Sequence, residues 1–209
     1  MRRTRIKICG LSNIEEALRA VDCGADAIGL VFYEKSSRAV SIAQAKAIYS
    51  ALPAFVSIVG LFVNPSRSEV EQVLAQVPLD CLQFHGEETP DFCASFSRPY
   101  MKAIRVQDGL DVNSKIREYA DSRAILLDSY SATSAGGTGE VFDWSIAQQC
   151  VAQSKLPIVL AGGLEPDNVA QAIKQVRPYA VDVSSGVESA PGRKSEQRMK
   201  AFINEVYSV

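Results

Sequence analysis

The sequence predicts one domain over residues 1–209, an α/β fold of eight β-α units closed into a (β/α)8 barrel with parallel strands. Three observations carry this. Eight short apolar runs alternate with helical patterns along the whole chain. Nearly all the runs are apolar on both faces, as parallel strands buried between layers must be. The last two runs end in small-residue segments about one β-α unit apart, Leu160-Ala161-Gly162-Gly163-Leu164 and Asp182-Val183-Ser184-Ser185-Gly186-Val187. That places an anion site at the loops after strands 7 and 8. An open doubly wound sheet of the same units is the alternative fold.

In chain order, the first run is 5–9. Ser12 then precedes Glu15 in capping-box spacing, and Ile14, Ala17, Leu18 and Val21 share one helical face. The second run, 27–32, leads to a helix started by Ser41 and Gln44 in the same spacing. The third and fourth runs are 56–63 and 81–85, the latter followed by Thr89-Pro90, with proline in a first turn where its missing N–H does little harm. Run 101–106 precedes a short helix near 112–119. Run 124–128 opens into a long loop, 129–141, containing Gly136-Gly137-Thr138-Gly139, whose length in a compact domain predicts a lid. Trp144 reads as packing at the foot of the sixth helix. The seventh run, 157–162, is followed by Glu165-Pro166, again proline in a first turn, and the eighth is 180–184. A final helix, 195–207, sets Met199, Phe202, Ile203 and Val206 on one side.

Composition narrows the function. The 209 residues and 22.6 kDa suit one domain with a continuous core. Twenty-two basic and 24 acidic residues give a net charge of −2 with no like-charge block, so no nucleic acid or membrane surface is expected as a partner. Five widely spaced cysteines read as free thiols of a reducing cytoplasm. Arg2-Arg3 is followed by Ile6-Lys7-Ile8-Cys9, too short and charged for a signal-peptide core, and no run reaches transmembrane length. One histidine and no CxxC pair leave no ligand set for a multi-histidine or structural zinc site, so neither metal nor cofactor is expected.

In such a barrel the chemistry lies at the C-terminal strand ends, here Cys9, His85, Asp128, Gly162 and Ser184. Alternation puts Lys7 on the face of Cys9, Gln83 with His85, and Asp182 with Ser184. The interior is therefore expected to hold a polar ladder of Lys7, Gln83, Lys102, Asp128 and Asp182. Cys9 is either a small buried hydrophobe or a thiol base whose pKa the Lys7 ammonium lowers. Asp128 either orients its loop or, desolvated, serves as a proton donor. His85 is either structural or a binding group. Arg38, in Lys35-Ser36-Ser37-Arg38, is a solvated cation or a carboxylate clamp. The glycines at Gly162 mark a tight turn or, paired with Gly186, a phosphate site.

Read together, Lys7-Ile8-Cys9-Gly10-Leu11, Gly24-Ala25-Asp26-Ala27-Ile28-Gly29, Phe32-Tyr33-Glu34-Lys35-Ser36-Ser37-Arg38, Gln83-Phe84-His85-Gly86-Glu87, Leu126-Leu127-Asp128, Gly136-Gly137-Thr138-Gly139, and the two glycine segments continued to Glu188 form an ordered series. The series resembles the phosphoribosylanthranilate isomerases of tryptophan biosynthesis over nearly the whole chain. Phe84, where leucine is frequent in that family, and Ala161, where serine can precede the glycines, are mild departures away from catalytic positions.

The resemblance implies an Amadori rearrangement of a phosphorylated small molecule by a monomer or homodimer. Asp128 would be the general acid at the ribose ring oxygen and Cys9 the general base at C2. Arg38, His85, Gly139 and Asp182 would contact the substrate, with Arg38 at the anthranilate end and Asp182 on a sugar hydroxyl. Gly162, Gly163, Ser184, Ser185 and Gly186 would hold the phosphate. The sister isomerase of histidine biosynthesis carries aspartate where this chain has Cys9, and a phosphosugar epimerase needs metal-binding histidines. A phosphate-metabolite binder without chemistry would not need Cys9 and Asp128 together.

Overall fold

The computed structural model describes residues 3–107, 109–129 and 143–209 of the chain. Among the described residues, eight parallel strands close in sequence order into one barrel. They are β1 (Arg5–Cys9), β2 (Ala27–Val31), β3 (Ser57–Phe62), β4 (Cys81–Phe84), β5 (Tyr100–Val106), β6 (Ala124–Ser129), β7 (Ile158–Leu160) and β8 (Ala180–Val183). Strand β8 returns to β1 with Lys7 opposite Asp182, so the sheet is closed rather than open and keeps no free edge. Each predicted strand matches an observed one to within two residues at either end.

Helices α1 (Ile14–Cys23), α2 (Ile42–Ala51), α3 (Arg67–Leu74) and α4 (Pro90–Ala94) follow the first four strands. Helices α5 (Val112–Glu118), α6 (Trp144–Gln153), α7 (Val169–Val176) and α8 (Glu196–Tyr207) follow the others. The Ser41/Gln44 capping box forms at α2, and Thr89 caps α4 with Pro90 as its first residue.

Two starts differ from the sequence reading. Asn13, not Ser12, caps α1, accepting from the Glu16 N–H; asparagine and serine are equally good caps, so spacing alone could not choose between neighbours. Helix α7 begins only at Val169, leaving Pro166 in the turn before it. There Asn168 accepts from the Glu165 N–H and donates to the Gly163 carbonyl, which spends its side chain on shaping the turn.

Outward residues such as Ile6, Ile8, Ile28, Leu30, Phe62 and Phe84 pack between barrel and helices. Each such burial contributes roughly 1.5–3 kcal/mol relative to exposure. Buried Met199, Phe202, Ile203 and Val206 seat α8 on this core, the face its sequence predicted. Inside the barrel a second, smaller set, including Val59, Met101, Leu126 and Val159, fills the floor and leaves polar side chains at the C-terminal rim. The segment expected to form a lid, with Thr138 and Gly139, lies outside the described residues apart from Ser129.

Candidate active site

The chemistry-bearing side chains arrive at the rim on separate strands. On β1, Lys7 and Cys9 both point inward, and the buried Lys7 ammonium donates to Asp182 Oδ1 at 2.9 Å. Burial alone would lower the Lys7 pKa, but Asp182 and Cys9 outweigh it and raise it. For Cys9 the order is different. Burial raises the thiol pKa above its ordinary value, although the Lys7 and Lys194 ammonium groups pull it down; Asp182 adds to the rise. The expected net lowering by Lys7 is thus corrected: desolvation of the thiolate outweighs the adjacent charge because Cys9 is only 4 % exposed.

Strands β4 and β6 contribute a second cluster. Gln83 Nε2 lies 3.0 Å from His85 Nδ1, and His85 Nε2 lies 3.0 Å from Asp128 Oδ2. The other carboxyl oxygen, Asp128 Oδ1, accepts from the Ser129 N–H at 2.9 Å. Lys102, expected in the interior ladder, is instead on the outer face of β5. Its register partner is the outward Phe84, while Met101 and Ala103 face inward. A strand apolar on both faces carries no signal of which parity is inside, and one residue decides it. From outside, Lys102 grips the Phe84 and Gly86 carbonyls and the Glu88 carboxylate. Glu88 also accepts from the Asn64 and Gly86 N–H groups, and the Arg105 guanidinium donates to the His85 carbonyl, so the β4 terminus bearing His85 is braced on several sides.

The two glycine arms meet. Gly162 has φ of +77°, a conformation that glycine adopts without the Cβ penalty. Beyond β8 the chain turns into a 3-10 helix, Ser185–Val187, in which Gly186 presses against the Leu164 carbonyl of the other arm. A Cβ at Gly186 would collide with that oxygen, which belongs to backbone and cannot swing aside. Gly186→Ala is therefore expected to cost about 1–3 kcal/mol of stability by forcing the arms apart. Denaturant unfolding of variant and parent checks this; coincident midpoints would show that the contact is not needed.

Arg38 sits on the same rim with its fork filled: Nε and Nη2 donate to the two Glu188 oxygens at 2.7 and 2.8 Å. Glu188 opens a short hairpin of β9 (Glu188–Ala190) and β10 (Arg193–Lys194) that the sequence reading did not anticipate. The buried Lys194 ammonium donates to Glu188 Oε1 at 2.7 Å and to the Ser184 carbonyl at 3.0 Å. Burial would raise the Glu188 pKa, but hydrogen bonds and charge from Arg38 and Lys194 hold it below the usual range. Arg38 and Lys194 thus grip the one Glu188 carboxylate from two sides. Glu188 ended a recognisable motif and could have been found from it; Lys194 had no such signal, because only hairpin register brings it under Ser184.

Cys9, Arg38, His85, Asp128, Gly162, Gly163, Asp182, Ser184 and Ser185 line one cavity at the C-terminal rim. Gly186 stands behind that wall, against Leu164, and Gly139 lies outside the described residues. A thiol, a carboxyl group, a guanidinium and two glycine arms around one cavity are the parts for moving protons on an anionic small molecule.

Comparison with known proteins agrees with that inventory. Residues 6–205 match the family model of N-(5'-phosphoribosyl)anthranilate (PRA) isomerase. The N-(5'-phosphoribosyl)anthranilate isomerase of Pseudomonas fluorescens (strain SBW25) is 55 % identical over 206 residues, covering 99 % of this chain and 97 % of that one. Among solved structures, phosphoribosyl anthranilate isomerase from Thermotoga maritima superposes with a TM-score of 0.91 at 41 % identity, over 99 % of this chain and 100 % of that one. A phosphoribosyl anthranilate isomerase in complex with reduced 1-(o-carboxyphenylamino)-1-deoxyribulose 5-phosphate follows at a TM-score of 0.87 and 40 % identity, with the same coverage. With barrel, rim and sequence in agreement over almost its entire length, the chain belongs to the N-(5'-phosphoribosyl)anthranilate isomerase family.

Proposed function

We infer that the protein catalyses the Amadori rearrangement of N-(5-phosphoribosyl)anthranilate to 1-(2-carboxyphenylamino)-1-deoxyribulose 5-phosphate in tryptophan biosynthesis. The observation that carries this reading is the meeting of Cys9 and Asp128, from β1 and β6, in a cavity whose rim bears the two glycine arms and Arg38. Asp128 protonates the ribose ring oxygen; the C1–O bond breaks and the anilino nitrogen donates its lone pair to form a protonated Schiff base. Cys9 then takes the proton from C2, and the C–H electrons form the C1–C2 double bond while the C1–N double bond becomes single. Loss of the C2 hydroxyl proton and protonation of C1 give the ketose. All the side chains assigned to these steps come from one chain, so a monomer and a homodimer are equally served.

Binding follows the same division. Backbone N–H groups at Gly162, Gly163 and Ser185, which line the cavity, together with the Gly186 N–H next to Ser185 in its wall, hold the phosphate dianion as a nest, with Ser184 fixing the second arm through its hydroxyl bond to the Cys9 carbonyl at 3.0 Å. Arg38 offers Nη1, the nitrogen not committed to Glu188, to the anthranilate carboxylate. Asp182 keeps one oxygen on Lys7 and turns the other to a sugar hydroxyl. His85 contributes through its hydrogen bond to Asp128. The five thiols, all unpaired, suit a reducing cytoplasm. No helix among the described residues is long and apolar enough to cross a membrane.

Complementation tests the activity. A tryptophan auxotroph lacking the isomerase is expected to grow without tryptophan when it expresses the chain, and not when it expresses Asp128→Asn. Failure of the unaltered chain, expressed in folded form, would overturn the reading.

A further inference from the structure

The mechanism assigns work to Asp128 but none to Gln83, a fully buried amide two residues before His85 on β4. Gln83, His85 and Asp128 form a file of hydrogen bonds of 3.0 Å each, and the donor and acceptor roles along it are linked through the His85 tautomer. With Gln83 Nε2 donating to His85 Nδ1, the imidazole must carry its proton on Nε2 and donate to Asp128 Oδ2. The opposite tautomer would set a lone pair of Nε2 against Asp128 Oδ2, which is repulsive when the group is ionised and, when it is protonated, competes with the substrate for its proton. It would also require the Gln83 amide to turn over, placing its NH2 where Oε1 now stands. Gln83 Oε1 is buried with no hydrogen-bond partner among the described residues. A buried carbonyl without a partner is tolerated more readily than an NH2 whose two donors both go unused. The present arrangement is the less costly one.

We propose that Gln83 is a positioning residue for the acid: it locks His85 as the neutral Nε2–H tautomer, so that His85 and the Ser129 N–H fix the plane of the Asp128 carboxyl group from its two oxygens. In this file His85 accepts from Gln83 and donates to Asp128. The proton that Asp128 delivers occupies the remaining site on one of the two oxygens, aimed by donors that do not themselves exchange with the substrate. The kinetic part rests on the reading of Asp128 as the acid; the tautomer does not.

The chain has one histidine, so the imidazole 15N resonances of untagged, ligand-free protein belong to His85 alone. At neutral pH they are expected to show Nε2 protonated and Nδ1 bare; a protonated Nδ1 would overturn the lock. Gln83→Met keeps the length of the side chain without the donor. It is expected to give a tautomer mixture and a kcat lower by about 3- to 10-fold, the value of one hydrogen bond, with KM within about 2-fold. Gln83→Glu puts an acceptor opposite Nδ1 and is expected to draw the proton there, so the two variants carry the prediction even if one folds poorly. Wild-type kcat in a folded Gln83→Met would overturn the positioning role. Wild-type kcat in Asp128→Asn would instead remove the acid assignment while leaving the tautomer measurement to stand by itself.

Discussion

Asp128→Asn is expected to lower kcat by about 10²-fold or more while leaving KM within a few-fold, because the amide keeps the shape of the carboxyl group but has no proton to give the ribose ring oxygen. The environment makes the substitution informative. Asp128 sits at the end of a strand with Leu126 and Leu127 fully buried before it, and both its oxygens are hydrogen-bonded, one to His85 Nε2 and the other to the Ser129 N–H. Asparagine can satisfy only one of those donors with its oxygen, so Asp128→Ala is the companion: it removes both contacts and is expected to be no faster. Steady-state kinetics at saturating substrate measures the effect. A kcat near that of the parent in both variants would show that ring opening draws its proton from elsewhere.

Cys9→Ser is expected to cost at least as much in kcat, about 10²-fold or more, since a hydroxyl does not ionise in the accessible range and a thiol does. The sign of the pH dependence follows from the site. Burial raises the Cys9 pKa above its ordinary value, and the base must be thiolate to take the C2 proton, so kcat/KM should climb with pH through the neutral range towards that raised value. Lys7 opposes the rise. Removing it alone would leave Asp182 buried without its partner, at a cost of about 3–5 kcal/mol, so the useful variant is Lys7→Met with Asp182→Asn. Lys7 influences the thiol more than Asp182 does, and its loss should move the acidic limb to still higher pH. An unmoved limb in the double variant would show that the ammonium does not act on the base.

These predictions depend on features legible to different degrees in the chain. Cys9, His85, Asp128 and Ser184 could be found as strand ends because apolar runs stop where the chain leaves the barrel, and the rim is where a parallel barrel carries its chemistry. Gly162 and Gly186 could be found by type. That Gly186 touches the Leu164 carbonyl could not, since the contact is set by how two loops pack. The same holds for the thiol. Its neighbour Lys7 was visible two residues away, but the sign of the shift depended on how completely the barrel excludes water from the sulfur, a property of the closed fold.

What the sequence alone determined is what repeats locally: eight two-sided apolar strands, the helix starts at Ser41 and Thr89, the apolar face of α8, and the ordered motifs that carry the family resemblance. Only the tertiary structure decided which parity of β5 faces inward, so that Met101 and Ala103 line the barrel and Lys102 braces the β4 loop from outside. It alone placed Lys194 beneath Ser184 and closed Arg38 onto Glu188. The physical reason is one of range. Strand and helix patterns arise from side chains a few residues apart, whereas parity, burial of a charge and the partner of a guanidinium are fixed by closing the barrel, which brings together residues as distant as Lys7 and Asp182.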